Sequence, residues 1–393
     1  MRARPLRIGI FTCNYTPLRN GVVTSITTYK RHLETQGHQV FVFAPRYSSF
    51  GHSQREANVY RFTSLRAPTH QHYSLPIPFA PRIRAIVEGL NLDVFHAQHP
   101  FLLGPYALRL ARRHHRPLVF TYHTRYDRYG HYSPLFPSVA GRLALWQSVR
   151  FANQADAVIA LTRAGAQMLA ANGVTARIEL VPTGVAPGVP TVTPAAVRQR
   201  LATVPERPIL LFTGRLAKEK NLGLLLDAHA RVLQSRFDAA LVLVGDGDQR
   251  SALLRKAQEL GTSPHVHFVG EVPNTEVWSY YNAADLFVMS STSEMQPLAP
   301  LEAITAGLPV IAARYPGIED YIDNGRNGYI VDPDANALAT AIVDVLRCPE
   351  ARRSLAAGAI RTAQHFAPER SVERMLGLYY DVMESASGAS YGR

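Results

Sequence analysis

Short apolar runs alternate along the whole chain with longer stretches whose apolar residues recur at helical spacing. The runs are continuous and rich in Val, Ile and Leu, which is typical of parallel strands buried on both faces. Two such series predict an α/β protein with two doubly wound, Rossmann-like domains. The predicted strands are 7–12, 39–45, 93–98, 117–123, 157–162 and 178–182 in the first series, and 208–214, 239–245, 265–270, 286–291, 309–313 and 328–332 in the second.

The boundary between the domains is predicted at residues 181–194, which are rich in Pro, Gly and Thr and show no periodicity. We expect an N-terminal domain over 1–185 and a second domain over 186–367. A C-terminal helix over about 368–385 is expected to pack back on the first domain. Ligands of doubly wound sheets bind outside the carboxyl ends of the strands, so we expect the active site in a cleft between two facing domains.

Charge is distributed unevenly between the two halves. Residues 1–185 contain 22 Lys and Arg against 7 Asp and Glu, a net charge of +15, whereas the remainder has 20 against 23, or −3. A half this basic favours an anionic partner: nucleic acid, a phosphorylated substrate or an anionic membrane. No apolar run reaches the ~18 residues needed to cross a bilayer. The two cysteines, Cys13 and Cys348, offer no disulfide framework, which fits a reducing cytoplasm.

Charged residues with opposite signs follow two of the predicted strands in the second half. Glu294 comes after the strand 286–291, and Glu302 stands eight positions further, near a predicted helix start at Ala299. Arg215 and Lys220 follow the strand 208–214. A helix N-terminus is suited to a diphosphate. Carboxylates can accept hydrogen bonds from ribose and sugar hydroxyls, while the cations balance the charge. The combination predicts a nucleotide-sugar site.

The order of several short motifs resembles one large enzyme family. The segments GRLAKEKN (214–221), VLVGDGDQR (242–250), VGEV (269–272), AADLFVMSSTSE (283–294) and the run from 317 to 342 are similar to those of retaining GT-B glycosyltransferases of family 4. Within the family, TYHTRYDRYGHY (121–132) and SEMQPLAPLEA (293–303) look closest to bacterial diacylglycerol glucosyltransferases. The resemblance implies a GT-B fold, a nucleotide-diphosphate sugar as substrate and no cofactor.

The resemblance also implies a role for each matching position. Arg215 and Lys220 would bind the diphosphate, Glu302 the ribose, and Glu294 a hydroxyl of the donor sugar. His123 would contact that sugar near the reacting carbon. The implied donor set is completed by Gly21, Gly270, Val272, Gln296, Leu298 and Ala299, with the backbone of 270–272 meeting the base. Tyr126, Tyr129 and His99 are expected on the acceptor side.

This sequence departs from the family pattern at three positions. Asn20 precedes Gly21 where two adjacent glycines are frequent, and Thr183 replaces a frequent asparagine in the linker. Pro297 stands where glycine is common, and it removes one backbone N–H from the turn expected to face the phosphates.

The expected chemistry is the stabilisation of a leaving nucleotide by cations that are already in position. Each residue also has a structural interpretation. Arg215 and Lys220 could be solvated loop charges, the two glutamates could reflect the acidic preference of helix starts, and His123 could be a core histidine. The tyrosines at 126, 129 and 132 recur at helical spacing and could equally form a packing stripe.

No metal site is expected. Asp246-Gly247-Asp248 has the form of a D-x-D metal motif, but it directly follows a predicted strand and is interpreted as a strand-to-helix turn. His96 and His99 have no Cys or carboxylate at metal-ligand spacing, and we interpret them as polar surface or cleft residues.

The favoured function is transfer of a hexose from UDP-glucose to a membrane lipid such as diacylglycerol, with retention of configuration and without metal. A GDP-mannose-dependent phosphatidylinositol-type mannosyltransferase is the alternative, and a nucleotide-sugar 2-epimerase a weaker one. A nucleic-acid-binding protein is disfavoured because no nucleic-acid module is recognisable.

Basic stripes beside apolar segments favour a cytoplasmic protein that is peripheral on the inner face of the cell membrane. From Pro105, a helix would set four arginines on one face, with Leu108, Leu110 and Ala111 elsewhere on the surface; the arginines are Arg109, Arg112, Arg113 and Arg116. The segment 65–84 is predicted as an apolar loop flanked by arginines, and 135–150 mixes Leu, Phe and Trp with Arg142 and Arg150. The other interpretation is a solvated outer helix beside an ordinary core.

Overall fold

The structure, a computed structural model, describes residues 4–47, 56–66, 74–126, 137–201, 204, 206–292 and 294–389. The chain divides into two compact units. Unit 1 comprises Met1–Gly184 together with Pro368–Arg393, and unit 2 comprises Val185–Ala367.

Unit 1 is built on a seven-stranded parallel sheet with the strand order β3-β2-β1-β6-β7-β8-β9. All residues of its inner strands β6, β7 and β8 are buried, as expected for strands that helices cover on both faces. In the described residues of this unit the strands are β1 (Arg7–Phe11), β2 (Gln39–Pro45), β3 (Val59–Phe62), β4 (Ser64–Arg66), β5 (Ser74–Pro76), β6 (Val94–Ala97), β7 (Leu118–Thr121), β8 (Ala157–Ala160) and β9 (Arg177–Leu180).

The helices of unit 1 include the last helix of the chain. Its Val372, Met375, Leu376 and Tyr379 join the hydrophobic core formed with strands β1 and β2. It therefore belongs to the unit that begins the chain. The helices are α1 (Gly21–Thr35), α2 (Pro81–Leu90), α3 (Leu103–Arg113), α4 (Pro137–Ala152), α5 (Arg163–Ala171) and, from the end of the chain, α13 (Pro368–Ala389).

Unit 2 is built on a six-stranded parallel sheet with the order β12-β11-β10-β13-β14-β15. Two hydrophobic clusters cover its two faces. The strands are β10 (Ile209–Thr213), β11 (Ala240–Val244), β12 (Val266–Gly270), β13 (Leu286–Met289), β14 (Val310–Ala313) and β15 (Gly328–Val331). The helices are α6 (Pro194–Arg200), α7 (Leu222–Gln234), α8 (Arg250–Glu259), α9 (Asn274–Ala283), α10 (Leu298–Thr305), α11 (Ala335–Arg347) and α12 (Pro349–Ala363).

Two parallel α/β sheets confirm the predicted fold class, and every predicted strand is present. The sequence missed the edge strand β3, whose four residues are mostly half-buried and therefore lack a continuous apolar run. It also missed that the segment predicted as an apolar loop over 65–84 contains the antiparallel β4–β5 hairpin and the start of α2.

The prediction for α3 was partly wrong. Arg109, Arg112 and Arg113 are exposed as expected, but Leu108, Leu110 and Ala111 are between 1% and 7% exposed. The helix begins at Leu103 rather than Pro105. Its first turn packs closely against the preceding loop, since a Cβ atom at Gly104 would lie 2.0 Å from the His99 carbonyl oxygen. The apolar residues of α3 therefore belong to the core.

His96 was also misinterpreted, since it is a core residue rather than a surface or cleft residue. Its ring is 0% exposed, with Nδ1 2.6 Å from the Tyr379 hydroxyl and Nε2 2.7 Å from Thr121 Oγ1. Burial lowers the pKa of His96 to about 3, so the ring is neutral at physiological pH. His96 thus joins strands β6 and β7 to helix α13.

None of the helices in the described ranges combines the length and the apolar composition that crossing a membrane requires.

Candidate active site

The loops that follow β10 and β11 in unit 2 lie backbone against backbone, and two glycines allow this. The Gly214 N–H donates to the carbonyl oxygen of Val244 at 2.9 Å. A Cβ atom at Gly245 would lie 2.0 Å from the Gly214 carbonyl oxygen, so a larger residue does not fit. Both glycines also have a positive φ, 139° and 134°, which other residues rarely adopt. This contact fixes the start of the segment 214–221.

Lys220 and Glu294 form an ion pair between the loops that follow β10 and β13. Their side chains are 20% and 16% exposed, so solvent screens the attraction less than at an open surface. Lys220 ends a short 3-10 helix, Lys218–Lys220, and the buried Ser290 hydroxyl donates to its carbonyl oxygen at 2.9 Å. The structure therefore brings together a cation and a carboxylate that the sequence placed in the same site.

Arg215 is paired with Glu219, four residues further along the same loop. The Arg215 side chain is 41% exposed, so its guanidinium is more open to solvent than the ammonium of Lys220. Glu219 was not among the predicted site residues, although it stands inside the GRLAKEKN motif. Each of the two predicted diphosphate-binding cations thus has a carboxylate partner in this structure.

Glu302 is held by a chain of hydroxyl groups. Its Oε2 accepts a hydrogen bond from the Tyr281 hydroxyl at 2.8 Å, and Thr213 Oγ1 lies 2.6 Å from the same hydroxyl. Burial raises the pKa of Glu302, and the hydrogen bond from Tyr281 opposes this shift. Burial and the charge of Glu302 raise the pKa of Tyr281 well above its ordinary value, so Tyr281 remains a donor. The arrangement fixes the direction in which this carboxylate accepts hydrogen bonds.

Helix α10 begins at Leu298, so Glu302 lies at the start of its second turn rather than in the first turn as predicted. Pro297 precedes the helix and no side chain caps it. The N–H groups of a first turn have no partner within the helix. Leu298 and Ala299 each contribute such an N–H group, whereas Pro300 has none. Gln296 is half-buried beside this turn. Two backbone donors can therefore face an anion at this end.

The backbone at Gly270, which is predicted to contact the nucleotide base, is hydrogen-bonded to the residue that follows β11. The Gly270 carbonyl oxygen accepts from the Gly245 N–H at 2.8 Å, and Gly270 has φ 83°. Val272 is half-buried and packs against the core of unit 2. This turn lies at the carboxyl end of the edge strand β12, as a base-binding backbone would require.

The Asp246-Gly247-Asp248 segment forms a turn between β11 and α8. Asp246 Oδ1 accepts from the Gly247 N–H at 2.7 Å, and a Cβ atom at Gly247 would lie 2.4 Å from the Leu216 carbonyl oxygen. One carboxylate is therefore used within its own turn. In the described part of the chain, no three His, Cys, Asp or Glu residues are grouped so that they could hold a metal ion.

In unit 1, His123 follows the end of β7 and is bound to the end of β6. Its Nε2 lies 2.7 Å from Gln98 Oε1 and donates to it. Burial, with smaller contributions from His99 and His96, lowers the pKa of His123 well below 6.5. The ring is therefore neutral near pH 7, and its Nδ1 carries a lone pair that can accept a hydrogen bond.

His99 lies on the loop after β6, and Gly21 follows the loop after β1. His99 Nδ1 accepts from the Cys13 N–H at 3.1 Å, and burial lowers the pKa of His99 to about 4. Gly21 is the first residue of α1 rather than part of a longer loop, and Asn20 caps the helix by accepting from the Val23 N–H at 3.0 Å. Asn20, which precedes Gly21 where the family frequently has two adjacent glycines, is thus the N-cap of helix α1.

Tyr126 is buried, and it packs edge-on against Tyr122 and Phe101 with ring centroids 5.5 and 5.1 Å away. The buried and packed ring indicates that Tyr126 contributes to the predicted acceptor side as a structural residue. Tyr129 lies outside the described residues.

The sequence missed four residues that support the predicted ones: Gln98, Thr213, Glu219 and Tyr281. Gln98 and Thr213 stand at the ends of predicted strands, so the rule that found His123 and Arg215 could have found them. No sequence pattern distinguished Tyr281, because it is one of two adjacent tyrosines inside a helix. Only the tertiary fold turns its hydroxyl towards Glu302.

Comparison with known families agrees with these two units. The family model for glycosyltransferase family 4 matches residues 19–188, and the model for glycosyl transferases group 1 matches residues 195–362. An alpha-monoglucosyldiacylglycerol synthase of Streptococcus pneumoniae is 31% identical over 353 residues, which cover 87% of this chain and 78% of the relative. The chain belongs to the family 4 glycosyltransferases. It is an enzyme, a hexosyltransferase.

Another relative is named for its GDP-mannose donor. A GDP-mannose-dependent alpha-(1-6)-phosphatidylinositol monomannoside mannosyltransferase of Mycolicibacterium smegmatis is 28% identical over 365 residues, 89% of this chain and 91% of the relative. Among solved structures, sucrose-phosphate synthase from Thermosynechococcus elongatus superposes with a TM-score of 0.82 at 22% identity, covering 97% of this chain and all of that one. This likeness confirms the GT-B fold.

Proposed function

We propose that this enzyme transfers a hexose from a nucleotide-diphosphate sugar, with UDP-glucose favoured, to a membrane lipid acceptor such as diacylglycerol. The observation that carries the proposal is the ion pair between Lys220 and Glu294 at the strand ends of unit 2. It sets a phosphate-binding cation and a hydroxyl-binding carboxylate side by side, as a diphosphate joined to a sugar requires.

In this proposal unit 2 binds the donor. Lys220, Arg215 and the first N–H groups of α10 bind the diphosphate. Glu302, oriented by Tyr281, accepts hydrogen bonds from the ribose. The backbone of residues 270–272 contacts the base, and Glu294 accepts from a hydroxyl of the sugar.

The same groups promote the reaction. When the bond between the sugar and the diphosphate breaks, negative charge develops on the leaving phosphate, and cations already in position stabilise it. We propose that the acceptor hydroxyl attacks from the same face and passes its proton to the leaving phosphate, so configuration is retained and no metal is needed.

In unit 1, His123 has its Nδ1 available to accept a hydrogen bond from a hydroxyl of the sugar. Its hydrogen bond to Gln98 and its lowered pKa support a neutral, fixed ring rather than an acid. His99 and Tyr126 are proposed on the acceptor side.

We propose that unit 1 also binds an anionic membrane surface, so that the enzyme is peripheral on the cytoplasmic face of the membrane. Helix α4 exposes Val139, Leu143 and Trp146, which are 51–57% exposed, together with Arg142 and Arg150. At 100° per residue these five positions fall within roughly one third of the helix circumference. A narrow apolar stripe flanked by cations suits the membrane interface.

One matrix of donors and acceptors tests the proposal. UDP-glucose, UDP-galactose and GDP-mannose are each combined with diacylglycerol, phosphatidylinositol or no acceptor, and products are identified by mass spectrometry. Glucosyl-diacylglycerol formed from UDP-glucose supports the proposal. Mannosyl-phosphatidylinositol formed from GDP-mannose would establish the alternative, and a sugar epimer formed without acceptor would point to an epimerase.

A further inference from the structure

The hydroxyl group of Tyr281 joins three elements of unit 2 beside Glu302. Thr213 Oγ1, on the last residue of β10, lies 2.6 Å from this hydroxyl. Glu302 Oε2 and the Ala299 carbonyl oxygen, both on α10, lie 2.8 and 3.2 Å from it. Tyr281, on α9, is 0% exposed and Thr213 is 7% exposed. The hydroxyl of Tyr281 therefore depends on these protein groups for its hydrogen bonds.

The protons of the two hydroxyl groups have one consistent arrangement. An ionised carboxylate and a carbonyl oxygen accept hydrogen bonds but cannot donate them. The single proton of Tyr281 is therefore directed to α10, where Glu302 lies closer than Ala299. Two hydroxyl oxygens 2.6 Å apart need a proton between them, and Thr213 must supply it. The hydrogen bonds thus run from Thr213 to Tyr281 and from Tyr281 to Glu302, and the first strengthens the second.

This chain engages one oxygen of Glu302 and leaves the other for a ligand. Oε2 accepts from Tyr281, whereas no residue of the described ranges donates to Oε1. The Glu302 side chain is half-buried, so it lies at the edge of the protein interior rather than in open solvent. A carboxylate that is held by one oxygen keeps its plane fixed. Its second oxygen can then accept from a hydroxyl group outside the protein.

We infer that Thr213 and Tyr281 are positioning residues that make the donor site select ribose over deoxyribose, by fixing Glu302 where it accepts from a ribose hydroxyl. This inference rests on the proposed function, in which Glu302 binds the ribose of the donor. A nucleotide without that hydroxyl leaves a half-buried carboxylate short of a partner, and sites built in this way reject such analogues. A carboxylate that is free to rotate would turn to water instead and would tolerate the loss.

The same contacts also have a purely structural interpretation. Ala299 and Glu302 belong to one helix, so the Tyr281 hydroxyl could merely hold α10 in place. In that case its removal would weaken every nucleotide by the same factor. Selectivity between ribose and deoxyribose, rather than affinity alone, separates the two interpretations.

Calorimetric binding of UDP, 2′-deoxy-UDP and 3′-deoxy-UDP tests the inference. We expect the parent to bind UDP at least ~10-fold more tightly than the weaker-bound deoxy analogue, which corresponds to one hydrogen bond to a charged group. In Tyr281→Phe this ratio should fall below ~3, because Glu302 is no longer fixed. Thr213→Val should lower the ratio less, since the bond from Tyr281 remains, and Thr213→Ser should restore it because the hydroxyl is kept.

Tyr315→Phe is the matched control, because it removes a buried hydroxyl from the same core that hydrogen-bonds no described residue. It should leave the ratio within ~2-fold of the parent, as expected for a residue with no bond to Glu302. Thermal unfolding of each variant confirms that it is folded. Thr213→Val carries the test by itself if Tyr281→Phe does not fold.

The outcomes separate the inference from the proposed function. Equal weakening of all three nucleotides in Tyr281→Phe and Thr213→Val, or an unchanged ratio, would reveal a structural role and overturn the inference. If Glu302→Gln abolishes the selectivity while the Tyr281 and Thr213 variants keep it, only the inference fails. If the parent binds all three nucleotides equally, or Glu302→Gln binds UDP as the parent does, the proposed ribose contact itself is wrong.

Discussion

The ammonium group of Lys220 is paired with the carboxylate of Glu294, 74 residues further along the chain. The two residues lie in loops that follow adjacent strands, β10 and β13. Neither is fully exposed, so each charge would be costly to hold there alone. The pair therefore holds both side chains in place, and in the proposed function a diphosphate with its sugar replaces these internal partners.

Removing a member of this site should abolish most activity. We expect Lys220→Ala, Arg215→Ala and Glu294→Ala each to lower turnover at least ~100-fold, as the loss of an electrostatic contact that is already in position usually does. Initial rates with saturating donor and acceptor measure this. Lys218→Ala is the control, because Lys218 is exposed in the same 3-10 helix and should leave turnover unchanged. Near-normal rates in all three folded variants would refute the site.

We expect Glu302 to lower the stability of unit 2 while it strengthens nucleotide binding. Burial raises its pKa in the folded protein above the unfolded value, so the ionised carboxylate destabilises unit 2 at neutral pH, and this cost disappears as pH falls through the folded pKa. Glu302→Gln should therefore raise the unfolding temperature at pH 7.5 while weakening UDP binding at least ~10-fold.

Differential scanning calorimetry and isothermal titration measure the two effects of Glu302→Gln. Glu259→Gln, at an exposed position on α8, should change neither. A lower unfolding temperature, or unchanged affinity for UDP, would contradict the role assigned to Glu302.

Chelation should have little effect. Asp246 already binds the backbone of its own turn, and we propose that protein cations rather than a metal neutralise the diphosphate. We expect activity in excess EDTA to stay within about 2-fold of the untreated enzyme, in line with a site whose charge stabilisation comes from side chains. Loss of activity that Mg²⁺ or Mn²⁺ restores would revive the D-x-D interpretation of Asp246 and Asp248.

The stability of unit 1 should fall in acid through His96. Its pKa is lowered by burial to about 3 in the folded protein, whereas in the unfolded chain it has an ordinary value near 6.5. Below pH 6.5 the unfolded state therefore binds a proton that the folded state does not, and stability falls by up to roughly 1.4 kcal/mol per pH unit.

His96→Gln keeps a neutral donor and acceptor but cannot titrate, so unfolding by denaturant between pH 6.5 and 4 should depend less steeply on pH in this variant. His115→Asn is the control, because His115 is exposed and its left-handed backbone (φ 50°) suits Asn. An identical pH dependence in His96→Gln and the parent would show that His96 is not a source of acid sensitivity.

The strand-end rule explains how much of the site was predictable. Lys220 and Glu294 each follow a run of buried apolar residues, and parallel strands bring such ends to one edge. The sequence therefore predicted that both residues belong to the site, but not that they form an ion pair. Tyr281 escaped this rule because it comes from a helix, and only the packed core turns its hydroxyl towards Glu302.

The errors in unit 1 have a physical cause as well. Leu108, Leu110 and Ala111 were assigned to the surface because four arginines defined the other face of the helix. Pro105 and Gly104, however, lie inside α3, which packs so closely that most of its circumference is buried. Periodicity gives the exposed face of a helix, but not how much of the remainder the core covers.

Membrane binding should depend on helix α4. Its exposed Leu143 and Trp146 lie beside Arg150, whose guanidinium stands 5.5 Å from the Trp146 ring centre. We expect co-sedimentation with vesicles to rise with the fraction of phosphatidylglycerol and to fall as salt is added, because each cation near an anionic surface contributes roughly 1 kcal/mol.

Substitutions separate the apolar and the basic contributions to this binding. Leu143→Gln with Trp146→Gln should reduce binding to every vesicle, whereas Arg142→Glu with Arg150→Glu should reduce it only to anionic ones. Reversal of the exposed Arg112 and Arg113 on α3 should act like the latter pair. Arg255→Glu makes the same charge change on α8 of unit 2 and should leave binding unaffected. Binding that ignores lipid charge, salt and all of these substitutions would leave an enzyme whose acceptor reaches it from water.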